Sequence, residues 1–203
     1  MPDSHALLHD LLRTPSPTGH ETALQELIAE RFRGIAERRE TDLHGNLFLG
    51  VNTGAERAVM LAAHCDQIGF MIKHVDRNGY LFVDHLGGVD EAIVAGERVI
   101  VHGARGPVAG VFGKKATHLQ STSEREEVPR HSEVWIDIGV KDREEAEGHV
   151  RVGDYVTFEP RLTPLRNGRI AAPGLDDKAG LFAVLEALRL CAERDLSVAL
   201  WVV

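Results

Sequence analysis

Residues 58–66 read Ala58-Val59-Met60-Leu61-Ala62-Ala63-His64-Cys65-Asp66, an apolar run that ends on a His-x-Asp triplet. The run predicts a buried strand of an α/β sheet. A His and an Asp two positions apart at its end then share one face. In that arrangement the carboxylate accepts one ring N–H of His64 and leaves the other nitrogen free for a metal ion. Cys65 lies between them and faces the opposite way, so His64 is poorly placed to activate its thiol as a nucleophile. A distant Asp176-Asp177-Lys178 opens a predicted helix, and a carboxylate at its start could reach the same ion.

On the N-terminal side of this strand, the spacing predicts helices over 4–13 and 20–38, parted by Thr14-Pro15-Ser16-Pro17-Thr18-Gly19. A short strand around Leu47-Phe48-Leu49 follows a His44-Gly45-Asn46 turn. Beyond residue 68 the texture changes. The β-rich runs Arg98–Val101, Val108–Phe112, Val134–Val140 and Tyr155–Phe158 are divided by Gly, Pro and charged turns, without a long helix between them. That pattern predicts a small barrel or sandwich over 68–164, with polar 117–132 as a mobile loop. The α/β texture resumes near Gly168. Leu181, Val184, Leu185 and Leu188 form a helical stripe from Asp177 to about Arg194, and Leu196–Val203 reads as another buried strand. The expected architecture is therefore a layered α/β domain, 1–67 with 165–203, interrupted by a β-rich domain. Because the chain stops on that apolar strand, where site residues of open α/β sheets gather, it reads as the first part of a longer protein.

The chemistry-bearing residues each have an ordinary explanation. A strand-end His is often structural, and Asp at a helix start caps free N–H groups and favours the helix dipole. Yet the Asp176-Asp177 doublet exceeds what a cap needs, and Pro173, Gly174 and Gly180 around it suggest a constrained backbone. Two adjacent carboxylates can divide the work, one on metal and one on a ligand or the backbone. Catalytic zinc takes three protein ligands plus water, and two-metal hydrolases need more. His64 and Asp176 supply two, with Asp66 behind the imidazole, and no buried Glu pair accompanies them.

Composition narrows the classes. The chain carries 23 Lys and Arg against 31 Asp and Glu, a net charge of −8 with no basic cluster, which argues against nucleic acid as a partner. Met1-Pro2-Asp3-Ser4-His5 shows no leader pattern, and no apolar run approaches membrane-span length. Cys65 and Cys191 read as free thiols of a reducing cytoplasm. Nothing suggests the flanking carboxylates of a glycosidase.

In order along the chain, Pro15-Ser16-Pro17-Thr18-Gly19-His20-Glu21, Asp42-Leu43-His44-Gly45-Asn46-Leu47, Ala63-His64-Cys65-Asp66-Gln67-Ile68-Gly69 and Leu86-Gly87-Gly88 are followed by Pro107–Gly113, Trp135–Gly139, Val152-Gly153-Asp154 and Leu175-Asp176-Asp177-Lys178-Ala179-Gly180. In these motifs the chain resembles the tetrahedral aminopeptidases. This family of dinuclear metallopeptidases includes glutamyl and deblocking aminopeptidases, some of which carry an endoglucanase label. The resemblance implies a catalytic α/β domain interrupted by a β-barrel-like dimerisation domain, with dimers assembled into a hollow dodecamer. It implies that His64 binds one metal, that Asp66 orients His64, and that Asp176 bridges two divalent ions, Zn or Co, with Mn also admissible. A metal-activated water would then remove N-terminal residues from peptides, with a Glu taking its proton. Gln67 stands where the family commonly has Glu, and the family's Glu-Glu pair and later ligands are expected beyond Val203. These 203 residues are thus expected to be inactive alone. Two further readings stay open: an amidase or deacylase acting on N-acyl amino acids, and a non-catalytic assembly or binding module.

Overall fold

The computed structural model describes residues 4–203; residues 1–3, part of the stretch read for a leader, lie outside the described residues. The chain divides into two units, 1–67 with 161–203, and 68–160. In the first, α1 (Ser4–Arg13) buries Leu7, Leu11 and Leu12. Helix α2 (Thr22–Arg31) buries Leu24 and Ile28 and is shorter than the 20–38 expected from apolar spacing. It stops because the chain turns through Phe32–Ile35, around Gly34, to deliver β1 (Arg38–Thr41) to β2 (Leu47–Val51) with Arg38 opposite Gly50. Helix propensity yields here to strand pairing. After β2 comes β3 (Ala58–Leu61).

The second unit contains β4 (Gly69–Val75), β5 (Leu81–Leu86), β6 (Arg98–Gly103), β7 (Gly106–Lys114), α3 (Thr122–Glu126), β8 (Val134–Asp137), α4 (Arg143–Glu147) and β9 (Tyr155–Phe158). Its strands close into a barrel in the order β4-β5-β8-β7-β6-β9, with β9 returning to β4. Val134 and Ile136 point into the core as their alternation predicts, but β8 ends before the expected Val140. Gly139 there adopts φ 81 and donates its N–H to Asp137 Oδ1, turning the chain out of the strand. Polar 117–132 is not structureless: Ser121 and Glu124 form a capping box that starts α3. Phe70 centres the barrel core, with ring centroids 4.9 Å from Phe112 and 5.4 Å from Phe158.

Back in the first unit, β10 (Thr163–Pro164) pairs with β11 (Ile170–Ala171), so residues 161–164 belong here rather than to the insertion. Helix α5 (Leu175–Ala192) follows, then β12 (Ala199–Val202). The sheet order is β1-β2-β12-β3, with β12 antiparallel to β2 and parallel to β3. Leu181, Leu185 and Leu188 of α5 pack with Leu11 of α1, Ile28 of α2 and the inward residues Leu49 and Val202 of the sheet. The fold is a layered α/β unit interrupted by a closed β-barrel. One strand departs from expectation: β3 is not buried, and Val59 and Met60 are 46% and 57% exposed. Among the described residues it is an edge strand, paired with β12 on one side.

Candidate metal centre

Past β3 the chain stays extended. Val203 N donates to Leu61 O and Ala63 N donates to Val203 O, carrying the β3–β12 ladder beyond the strand ends. On its other flank lies the segment 14–18. Ser16, fully buried, donates its hydroxyl to Cys65 O at 2.8 Å, and Gln67 N donates to Ser16 O at 2.9 Å. Held from both sides, residues 64–66 alternate as an extended chain must. Cys65 turns inward against the core, its Sγ accepting from Gln25 Nε2 at 3.4 Å, while His64 and Asp66 face outward together. Burial pushes the Cys65 thiol up, with Glu21 and Asp66 adding to it, and His64 faces away from the sulfur.

His64 Nδ1 lies 2.9 Å from Asp66 Oδ1, and the other Asp66 oxygen, Oδ2, accepts from Thr18 Oγ1 at 2.7 Å. On the far side of the ring, His64 Nε2 is 3.3 Å from Asp176 Oδ1. Partial burial pulls the His64 pKa down, but the Asp66 hydrogen bond and the negative charges of Asp66, Asp177 and Asp176 outweigh it and leave the value raised. The surroundings of this ring therefore favour positive charge, whether a proton or a cation.

Asp176 reaches this point because the start of α5 is not helical. Gly174 sits at φ 76, Asp176 at φ −91 and ψ 109, and Asp177 at φ −115 and ψ 33; helical dihedrals resume at Lys178. The Asp176–Asp177 peptide is cis. The doublet divides its work. Asp177 Oδ1 accepts from Gly180 N at 3.0 Å, a helix cap, and a Cβ at Gly180 would stand 2.3 Å from that oxygen. Asp176 is left free of the helix, its side chain 96% exposed.

Lys178 is fully buried, and its ammonium donates to Thr14 O at 2.8 Å and to Gln67 Oε1. It thereby ties the start of α5 to both the 64–67 and the 14–18 segments. Burial pulls its pKa down to about 8, against a weaker upward pull from Cys65. The sequence around Lys178 and Thr18 carries no local signal for these contacts, whose partners lie 111 and 48 residues away.

Among the described residues no group of three or more His, Cys, Asp and Glu side chains is arranged to hold a metal ion. The two donors present do fit one. Ligands at about 2.0–2.1 Å from a tetrahedral zinc lie roughly 3.3–3.4 Å apart, against the observed 3.3 Å between His64 Nε2 and Asp176 Oδ1. His64, Asp66 and Asp177 also line a depression of about 1090 Å³ whose wall includes apolar Leu181, Leu185 and Val202.

The chain is similar to known proteins in both sequence and fold. The chain is 31% identical to the lysyl aminopeptidase of Pyrococcus furiosus over 95% of its own length and 56% of that protein's. Among solved structures it superimposes on the TET aminopeptidase of Thaumarchaeota archaeon SCGC AB-539-E09 with a TM-score of 0.92 at 27% identity, covering 98% of this chain and 56% of the other. It also matches the Pyrococcus horikoshii TET1 peptidase, which can assemble into a tetrahedron or a large octahedral shell, with a TM-score of 0.87 at 28% identity, covering 98% and 60%. The chain spans about half the length of the curated relatives it matches. No helix among the described residues is long and apolar enough to cross a membrane. With residues 45–203 matching its family profile, the chain belongs to the M42 glutamyl aminopeptidase family.

Proposed function

We propose that this chain carries part of the dinuclear site of a metal-dependent aminopeptidase that removes N-terminal residues from peptides. His64 and Asp176 are its metal ligands here, and Asp66 orients His64. The observation that carries the reading is the convergence of His64 Nε2 and Asp176 Oδ1, 3.3 Å apart, with Asp66 behind Nδ1. With an ion bound, Asp66 would accept the ring proton of His64 at Nδ1 and leave the Nε2 lone pair for the ion it shares with Asp176. Asp176, freed from the helix, would hold an ion together with His64. Asp177 stays on the backbone and is not counted as a ligand. When bound, divalent ions (Zn or Co, with Mn admissible) would supply Lewis-acid polarisation of the scissile carbonyl and acidify water. No general base or further ligand joins His64 and Asp176 among the described residues, and on this reading the chain alone is expected to be inactive.

Peptide as substrate is supported by the aminopeptidase relatives, and homo-oligomerisation by the shells of the Pyrococcus horikoshii peptidase. A cytoplasmic setting rests on the free thiols Cys65 and Cys191.

Calorimetric titration of the chain with Zn²⁺ or Co²⁺ tests the assignment. Weak binding is expected, lost in both His64→Ala and Asp176→Ala. Undiminished affinity in either variant overturns its role as a ligand. Robust turnover of aminoacyl-anilides by the 203 residues with added metal would overturn the partial-site reading.

A further inference from the structure

We infer that Thr18 is a positioning residue for the metal-binding face of His64, acting through Asp66. The inference rests on the proposal that His64 is a metal ligand. The two oxygens of Asp66 are engaged separately. Oδ1 faces His64 Nδ1 at 2.9 Å, and Oδ2 accepts from Thr18 Oγ1 at 2.7 Å. A carboxylate held at one oxygen alone can rotate about its Cβ–Cγ bond and exchange the oxygen it offers the ring. The hydroxyl at Oδ2 removes that freedom. The plane of the carboxylate, and with it the Nδ1–H tautomer of His64, is then set before any ion arrives.

Thr18 can do this because its own backbone is anchored. Ser16 reaches Cys65 O with its side chain and accepts from Gln67 N, Pro17 bridges to Gln67, and Lys178 grips Thr14 O. The strap 14–18 thus runs beside residues 65–67, with its last hydroxyl directed at the one outward carboxylate there. Thr18 has no capping duty to explain its placement, since α2 begins at Thr22 with Glu21 at its cap. A β-branched side chain further restricts χ1, which suits a fixed donor. The residue is exposed, so its loss does not open the core.

The test compares Thr18→Val, which is isosteric but lacks the donor, with Thr18→Ser, which keeps it. Two readouts are taken on the full chain. The first is Co²⁺ affinity from the visible absorption of the bound ion. The second is the His64 ring tautomer in the metal-free protein, from long-range ¹H–¹⁵N correlation at a pH where the ring is neutral. Thr18→Val is expected to weaken Co²⁺ binding about tenfold, in the range for outer-shell partners, and to shift the ring toward the Nε2–H tautomer. Thr18→Ser is expected to stay within about twofold of wild type by the same scale. Should Thr18→Val lower the melting temperature, Thr18→Ala repeats the comparison.

If Thr18→Val leaves both affinity and tautomer unchanged while His64→Ala abolishes binding, the positioning role is overturned and the ligand assignment survives. Loss in Thr18→Ser equal to that in Thr18→Val also overturns it, because the hydroxyl would not be the cause. If His64→Ala binds Co²⁺ as wild type does, the ligand assignment fails and the inference falls with it, whatever Thr18→Val does.

Discussion

The barrel at 68–160 and the sheet of the first unit handle strand edges in opposite ways. In the barrel every strand has a neighbour on both sides, and its core residues from Phe70 to Phe158 are enclosed. The sheet β1-β2-β12-β3 ends twice. Its β1 edge is Arg38-Arg39-Glu40-Thr41, exposed and charged, the usual protection of an open edge. Its β3 edge carries Val59 and Met60, apolar and exposed. Burial thus follows topology before it follows hydropathy. The polar chemistry sits with the open sheet: the outward pair His64 and Asp66 leaves the end of β3, beside β12 and the start of α5.

The sharpest break between the units would come from their cores. Phe70→Ala in the barrel is expected to cost about 3–5 kcal/mol and Leu188→Ala in the first unit about 2–5 kcal/mol. The two tryptophans report separately, Trp135 from β8 and Trp201 from β12. Urea unfolding followed in Trp135→Phe and Trp201→Phe backgrounds should place each loss at its own tryptophan. Equal loss at both would end the description as two cores.

Next in size is the buried ammonium. The folded-state pKa of Lys178 lies near 8, below its ordinary 10.5. Burial of the charged form therefore destabilises the fold fully below about pH 8. That penalty is lifted as pH rises toward 10.5. The shift corresponds to an upper figure of about 3 kcal/mol. Relative to Lys178→Met, the wild-type chain should gain stability over this interval, measured by urea midpoints at stepped pH. A constant difference would show that the ammonium carries no burial penalty.

A smaller effect is expected at the helix cap. Asp177→Ala should lose about 1 kcal/mol, and Asp177→Asn almost nothing, because an amide oxygen caps as well as a carboxylate. Equal losses would mean that the charge of Asp177, and not its bond to Gly180, holds the helix start. Smallest of all, Met60→Lys on the open edge should change stability by less than about 0.5 kcal/mol. It should also reduce concentration-dependent association in sedimentation; a large loss of stability would show that β3 is more enclosed than its exposure indicates.

Periodicity alone was enough for α1, the apolar stripe of α5, the β-rich texture of the insertion and the His64–Asp66 pair, since each is written in neighbouring residues. It failed where a distant partner decided the outcome. The 20–38 helix gave way at Phe32 because β1 had to meet β2, and the apolar run 58–61 is an exposed edge because no strand among the described residues pairs beyond it. Asp176 and Asp177 look alike in sequence, and Gly180 hints at a tight backbone without saying which of them it serves. Tertiary structure separates them, one held by an N–H three residues on and the other turned to His64. The contacts of Thr18 with Asp66, and of Lys178 with Thr14 and Gln67, join segments remote in the chain. Local propensity is a property of a few adjacent residues, whereas a site of this kind exists only once packing has brought separate segments within hydrogen-bonding reach.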